Sequence, residues 1–200
     1  MTHRTVREFR ELARHHRIAG LALVVAALTL PALAGPAALD WLRYDRARIA
    51  GGELWRLLSG HLVHYDARHL LMNLAGLGLL WWLFIADLPA RSWWLIVALS
   101  ACAVSAGLYL FDPAVGWYVG LSGVLHGIWA AAGVAAWRRW RLESGVTLAL
   151  LAGKLVLERG IGPISAGVDP GLTVIVAAHL YGALGGLAGA LGLVLARRSL

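Results

Sequence analysis

Residues 171–196 read GLTVIVAAHLYGALGGLAGALGLVLA and contain no Asp, Glu, Lys or Arg. A helix needs roughly 20 mostly apolar residues to cross the hydrocarbon core of a bilayer, and this stretch is long enough. Its glycines recur at intervals of four, as Gly182/Gly186 and Gly185/Gly189, a spacing that lets membrane helices pack closely. The stretch therefore predicts a membrane helix with a close helical neighbour.

The rest of the chain has the same apolar character. Hydrophobic residues make up 60% of the 200 residues, charged residues 14%, and the mean hydropathy is +0.69. One soluble core would not bury so much apolar side chain. The apolar runs predict an all-α protein with six membrane helices, at Ile18–Ala38, His69–Ala86, Ser92–Phe111, Trp117–Trp137, Val146–Ile164 and Gly171–Ala196. We expect one six-helix membrane domain over residues 18–200, after a basic segment of residues 1–17.

The distribution of arginine predicts the orientation, because loops on the cytoplasmic side are enriched in Lys and Arg. One side of the predicted bundle would carry Arg4, Arg7, Arg10, Arg14, Arg17, Arg91, Arg138, Arg139, Arg141, Arg197 and Arg198. The other side would carry fewer: Arg43, Arg46, Arg48, Arg56, Arg68 and Arg159. Both termini are therefore expected in the cytoplasm. Ala32-Leu33-Ala34 resembles a signal-peptide cleavage site, but the uncharged run before it is longer than a typical signal peptide has.

The net charge of +7 does not indicate nucleic-acid binding, because the arginines lie at the ends of apolar runs and form no continuous basic face. The single cysteine, Cys102, lies in an apolar run and is interpreted as a packing residue. We therefore expect lipids and membrane proteins as partners, and no cofactor.

Two residues in separate runs are the candidates for chemistry. Ser122 lies in Gly120-Leu121-Ser122-Gly123, whose glycines let a substrate or another backbone come close. His179 lies in the sixth run, and an ionisable residue at such a depth is a functional candidate. Serine becomes a nucleophile when a base removes its proton, so the sequence predicts Ser122 as nucleophile and His179 as general base.

His69 and Asn73 lie four residues apart in the second run and therefore share one helical face. Both side chains can donate hydrogen bonds to the oxyanion of an acyl-transfer reaction. Asp66, three residues before His69, is expected to cap this helix. The second, fourth and sixth runs would enter from the same face, so the polar residues near their beginnings would lie at one depth.

Each of these signals has a plainer interpretation when it stands alone. Gly-x-Ser-Gly occurs as a helix-packing motif, a buried histidine is often a satisfied core residue, and His69 with Asn73 would also suit a polar clamp between helices. Their shared depth favours a catalytic site. No acid lies within the well-formed runs, so the sequence predicts a Ser–His dyad rather than a triad. Lys154 and Glu158 interrupt only the weak fifth run, where their spacing lets them pair.

A metal site would have to recruit His61, His64, His69 and His126. No carboxylate or cysteine accompanies these histidines at ligand spacing, and we expect no metal.

The residues resemble the rhomboid family of intramembrane serine proteases through Glu53-Leu54-Trp55-Arg56, His64, His69-Leu70-Leu71-Met72-Asn73, Gly120-Leu121-Ser122-Gly123 and Ala178-His179-Leu180-Tyr181-Gly182. The resemblance implies that Ser122 is the nucleophile and His179 the base, and that His69, Asn73 and the Ser122 N–H form the oxyanion hole. Gly120, Gly123, His126 and Gly182 would support them. Many rhomboids have a tyrosine four residues after the serine, where this chain has His126.

The small size of the chain is similar to the bacterial rhombosortase branch, as are Tyr118-Val119-Gly120-Leu121-Ser122-Gly123-Val124-Leu125-His126-Gly127, Lys154-Leu155-Val156-Leu157-Glu158 and Ala178-His179-Leu180-Tyr181-Gly182. This resemblance implies a multi-pass protein of the bacterial inner membrane that processes proteins ending in a Gly-Gly motif, a membrane helix and a basic tail. Two other functions stay open: a catalytically silent rhomboid-like protein that binds membrane clients, and a transporter that relays protons through His69, His126 and His179.

Overall fold

The computed structural model describes residues 3–84, 88, 90–164 and 174–196. The regular secondary structure of this part is helical apart from one short pair of strands, which confirms the predicted helical class. The helices are α1 (His3–Leu33), α2 (Pro36–Leu42), α3 (Arg46–Ala50), α4 (Arg56–Ser59), α5 (Ala67–Phe84), α6 (Ala90–Phe111), α7 (Ser122–Ala136), α8 (Arg141–Ile161) and α9 (Val176–Ala196). The strands are β1 (Tyr44–Asp45) and β2 (Trp117–Tyr118), which pair antiparallel.

The first apolar run is not one helix. It was predicted to continue from Ile18 to Ala38, whereas α1 ends at Leu33 and α2 leaves it at an angle of 118°. Gly35 has φ +77 in this corner, a conformation that glycine adopts without steric cost, and Pro36 follows as the first residue of α2. At its other end, α1 runs without a break across the predicted boundary between residues 17 and 18.

By length and apolarity, two described helices can cross a membrane, at Arg91–Phe111 and Val176–Leu195. The bent pair of α1 and α2 makes a third if it counts as one span. Large apolar side chains on these helices face outward, as expected for contact with lipid: Leu23, Leu30, Leu110, Phe111, Leu184 and Leu195. These helices suit an integral membrane protein, and the count of six spans stays a prediction.

The structure moves the start of two predicted helices. Residues 117–121 were expected to be helical, but Trp117 and Tyr118 form β2, and α7 begins only at Ser122. The predicted start of the fourth helix at Trp117 is therefore wrong. The sixth run is helical from Val176, which places His179 in the first turn of α9, and residues 171–173 lie outside the described part.

The fifth run, which two charged residues interrupt, is a regular helix. It extends from Arg141 to Ile161, longer than predicted at its N-terminal end, and includes both Lys154 and Glu158. The second and third runs correspond to α5 and α6, with ends shifted by a few residues.

Helix α7 lies at the centre of the bundle and packs against α5, α6, α8 and α9. Most of its residues are buried, including the run Val124–Ile128 and Ala130–Gly133. Helix α7 can lie at the centre because its Ala and Gly residues let four neighbouring helices approach its backbone. The first turn of α7 is thereby enclosed by other helices.

The segment between α2 and α5 packs on α6 through polar side chains. The Arg46 guanidinium donates to the carbonyls of Leu108, Tyr109 and Asp112 at the C-terminal end of α6, at 2.6–3.0 Å, and to Val115 at 3.3 Å. The last carbonyls of a helix have no partner within it, so the guanidinium supplies donors that they lack.

Two more side chains of this segment donate to carbonyls. Arg56 is fully buried and donates to the carbonyls of Asp40 and Arg43 at 2.8 and 3.0 Å. His61 Nε2 lies 3.2 Å from the carbonyl of Ala101 in α6. Polar contacts thus hold irregular backbone against the bundle.

Candidate active site

Ser122 is the first residue of α7 and follows a sharp change of backbone direction. Gly120 has φ +113, which side-chain-bearing residues rarely adopt, and its N–H donates to the carbonyl of Gly60 at 3.0 Å. Because α7 begins at Ser122, the N–H of Ser122 has no acceptor within the helix. The hydroxyl and a free N–H of one residue therefore lie together at the positive end of a helix dipole.

The hydroxyl of Ser122 is within hydrogen-bonding distance of His179. Ser122 Oγ and His179 Nε2 are 3.0 Å apart, while Ser122 is half-buried and His179 is 5% exposed. The two residues, 57 positions apart in sequence, meet at the first turns of α7 and α9. This is the distance at which an imidazole takes a proton from a hydroxyl.

Glycines make this approach possible. A Cβ placed on Gly182 would lie 1.8 Å from the carbonyl oxygen of Gly123, and one on Gly186 would lie 2.0 Å from that of Gly127. The backbones of α7 and α9 are therefore in direct contact, as the glycine spacing predicted. On the other side of α9, Gly185 faces Ala103 and Leu99 of α6.

The second nitrogen of His179 contacts a carboxylate. Glu158 Oε2 lies 2.7 Å from His179 Nδ1, and Glu158 is 2% exposed. A carboxylate accepts hydrogen bonds, so in the neutral ring Nδ1 donates to Glu158 and Nε2 is the acceptor that faces Ser122. The other oxygen of Glu158 accepts from the ammonium of Lys154 one helical turn earlier.

His126 lies face to face with His179. The ring centroids are 4.1 Å apart, and the planes are inclined by 11°. His126 Nδ1 donates to the carbonyl of Ser122 at 2.7 Å, which fixes the ring over the site. A ring therefore stacks on His179 at the position four residues after Ser122, although it is an imidazole.

His69 and Asn73 lie on the other side of Gly120. The His69 ring occupies the space beside Gly120, since a Cβ on that glycine would lie 2.7 Å from His69 Nε2. Asn73 is buried, and its amide donates to the carbonyl of His69 at 3.1 Å. Asp66 accepts from the N–H of His69 at 2.7 Å, which confirms the predicted helix cap. Both predicted oxyanion donors thus lie beside the Gly120–Ser122 segment.

The sequence of the chain matches the family model of the Rhomboid domain over residues 51–197, which is most of its length. The chain belongs to the rhomboid family. That family consists of intramembrane serine proteases that act on transmembrane substrates. No curated protein sequence matches this rhomboid.

In this rhomboid, the structure brings together every residue that the sequence singled out for chemistry. It also corrects one prediction: His179 was expected to have no acid partner, whereas Glu158, from the weak fifth run, contacts its Nδ1. The sequence contained a signal for this contact. A carboxylate within an apolar run is costly unless it has a role, and Glu158 lies near the end of the run that precedes the His179 helix.

The four histidines considered for a metal site do not assemble. His61 contacts Ala101 and Ser105 of α6, whereas His64 packs edge-on against His69. A different group, His126 with Glu158 and His179, offers ligand atoms within 4.8 Å of one another. The two rings are stacked, however, and imidazole binds a metal in its ring plane, so their lone pairs do not converge on one point.

Proposed function

We propose that this rhomboid is an intramembrane serine endopeptidase in which Ser122 is the nucleophile and His179 the general base. The observation that carries the proposal is the 3.0 Å distance between Ser122 Oγ and His179 Nε2. The free N–H of Ser122, His69 and Asn73 lie around the same segment and are proposed as oxyanion donors.

In the proposed reaction, one histidine both accepts and returns the proton. His179 Nε2 accepts the Ser122 proton as Oγ attacks the substrate carbonyl, and the oxyanion forms beside the three donors. The imidazolium then gives its proton to the leaving amine, which breaks the peptide bond and leaves an acyl-enzyme. Water, deprotonated in turn by Nε2, releases the new carboxyl end and restores Ser122.

The substrate class we propose is a protein with a Gly-Gly motif, a membrane helix and a basic tail at its C-terminus. The resemblance of residues 154–158 and of the Ser122 and His179 motifs to rhombosortases supports it. A bacterial inner-membrane location with six spans and both termini in the cytoplasm accompanies this proposal.

A fluorophosphonate probe tests the nucleophile, because it forms a covalent bond with an activated serine. We expect the wild-type protein in detergent micelles to be labelled, and Ser122→Ala and His179→Ala to be unlabelled. Ser144 lies in the first turn of α8, at the end of that helix opposite to Glu158, so Ser144→Ala is the matched control and should be labelled like the wild type.

Absence of wild-type labelling would indicate a silent client-binding protein, and labelling that persists in Ser122→Ala would refute the nucleophile. A transporter would keep proton flux into proteoliposomes after Ser122→Ala. The substrate class is tested with a peptide that carries Gly-Gly before a membrane helix and a basic tail. Replacing Gly-Gly by Val-Val should abolish cleavage, and equal cleavage of both peptides would exclude this class.

A further inference from the structure

Glu158 is not among the site residues that the resemblance to rhomboids implies, yet both of its carboxylate oxygens accept hydrogen bonds. Oε2 lies 2.7 Å from His179 Nδ1, and Oε1 accepts from the Lys154 ammonium. Glu158 is 2% exposed and lies in α8, whereas His179 lies in α9. The contact therefore joins two helices at the position of the base.

Packing alone does not account for a carboxylate at this place. Burial of a charged group costs several kcal/mol unless it is paired, and an apolar side chain of similar volume often stabilises a core as well or better. The buried Glu158 carboxylate, paired with the half-buried Lys154, is directed at one nitrogen of the His179 ring, which indicates a role beyond stability.

We propose that Glu158 is a positioning residue for His179, so that the site is a Ser122–His179–Glu158 triad whose acid is held in place by Lys154. The inference rests on the proposed function. Glu158 would hold the proton on Nδ1, keep Nε2 directed at Ser122, and stabilise the imidazolium while Nε2 carries the Ser122 proton. The carboxylate stays ionised throughout and takes up no proton.

Lys154 determines the orientation of the side chain at position 158. An ammonium only donates hydrogen bonds, so it holds an acceptor oxygen on its own side of residue 158. In Glu158→Gln the amide oxygen would turn to Lys154 and the amide NH₂ to His179. Nδ1 would then have to accept, Nε2 would carry the proton, and His179 would lose its function as a base.

The test compares fluorophosphonate labelling rates of folded variants. We expect Glu158→Gln to be labelled about 10²- to 10⁴-fold more slowly than the wild type, as expected for a histidine held in the wrong tautomer. Lys154→Met/Glu158→Gln should regain about tenfold or more over Glu158→Gln, because the amide is free to turn its oxygen to Nδ1. Glu143→Gln changes an exposed glutamate in the first turn of the same helix and serves as the matched control.

If the role of Glu158 were only structural, the double variant would not regain labelling, because the loss of Lys154 would be a second destabilising substitution. Labelling of Glu158→Gln within about threefold of the wild type would overturn the proposal, as would a double variant no faster than the single one. Both outcomes leave Ser122 and His179 as the nucleophile and base. Failure of the proposed function shows itself separately, as a wild type that is not labelled.

A second measurement does not depend on whether Glu158 variants fold. ¹⁵N spectra of histidine-labelled Ser122→Ala, compared with those of Ser122→Ala/His179→Gln, isolate the signals of His179. We expect a neutral ring protonated at Nδ1. A ring protonated at Nε2 would refute a carboxylate that accepts from Nδ1.

Discussion

Two regions of this rhomboid hold backbone segments together by opposite means. Where glycines of α7 and α9 meet, no side chain separates the two backbones, and a Cβ on Gly182 would lie 1.8 Å from the carbonyl oxygen of Gly123. Between α6 and the segment after α2, long side chains bridge the gap: Arg46 reaches several carbonyls of α6, and His61 reaches another.

The difference corresponds to what each region contains. Two regular helices satisfy their own backbone hydrogen bonds, so they need only space to approach each other. A helix end and irregular backbone have carbonyls and N–H groups without partners in secondary structure, and these are costly to bury unless side chains supply partners. Substitution of a glycine at the α7–α9 contact should therefore have the largest effect. Substitution of one polar side chain should remove only the hydrogen bonds that this side chain makes.

The largest effect is expected for Gly182→Ala. Its Cβ would lie 1.8 Å from a backbone oxygen, so α7 and α9 must separate. We expect a loss of about 3 kcal/mol in stability and about 10²-fold in the fluorophosphonate labelling rate, because Ser122 and His179 move apart. Thermal unfolding in micelles and labelling measure the two effects. Gly192→Ala, where an added Cβ meets nothing within 4 Å, is the control; equal behaviour of the two variants would contradict direct backbone contact.

A smaller loss is expected for Arg46→Met, which keeps an apolar stem but removes every donor to the end of α6. Hydrogen bonds from charged groups contribute about 1.5–3 kcal/mol, so we expect the unfolding free energy to fall by about 2–3 kcal/mol. Labelling should fall less than in Gly182→Ala, because neither Ser122 nor His179 is attached to this contact. Arg48→Met, at an exposed arginine, should change stability little; a similar loss there would assign the effect to charge alone.

The polar region should also respond to acid. Burial lowers the pKa of His61 from 6.5 to about 4, so between these values the unfolded chain binds the proton that the folded chain excludes. Stability therefore falls as the pH drops from 6.5 toward 4, by about 2–3 kcal/mol for this group at pH 4.5. The melting temperature of His61→Gln should consequently depend less on pH than that of the wild type. Parallel pH curves for the two proteins would show that His61 does not contribute.

The smallest effect is expected at Gly133→Ala, on the side of α7 that faces α8. Its Cβ would lie 2.8 Å from Leu148 Cδ2, the end of a flexible side chain that can rotate away. The gain in helix propensity from glycine to alanine is about 1 kcal/mol, which offsets the repacking cost. We expect a change in stability below about 1 kcal/mol by thermal unfolding. A loss of stability as large as that of Gly182→Ala would contradict the expectation that a Cβ is tolerated better against a side chain than against backbone.

Apolar run length and glycine spacing were enough to predict the long helices and the α7–α9 contact, because both depend on local composition. The start of α7 was not predictable in this way. Trp117 and Tyr118 are apolar enough to continue a helix, and only their pairing with Tyr44 and Asp45, more than 70 residues earlier, makes them extended.

The same limit applied to Glu158. Its spacing from Lys154 predicted an ion pair, which the structure contains, but which helix α8 faces is decided by tertiary packing. The order of the runs was a sounder guide to Ser122, His179, His69 and Asn73 than the exact helix ends, because it predicted which residues would lie near one another.

The corner at Gly35 has a further consequence for how the protein lies in a bilayer. After a turn of 118°, α2 runs roughly across the direction of α1, and its Trp41 ring lies 5.8 Å from that of Trp55. A helix so oriented cannot continue through the hydrocarbon core, and paired indoles favour the headgroup layer. We therefore expect α2, and the segment with Arg43, Arg46 and Arg48 that follows it, to lie at the level of the headgroups and not in the hydrocarbon core.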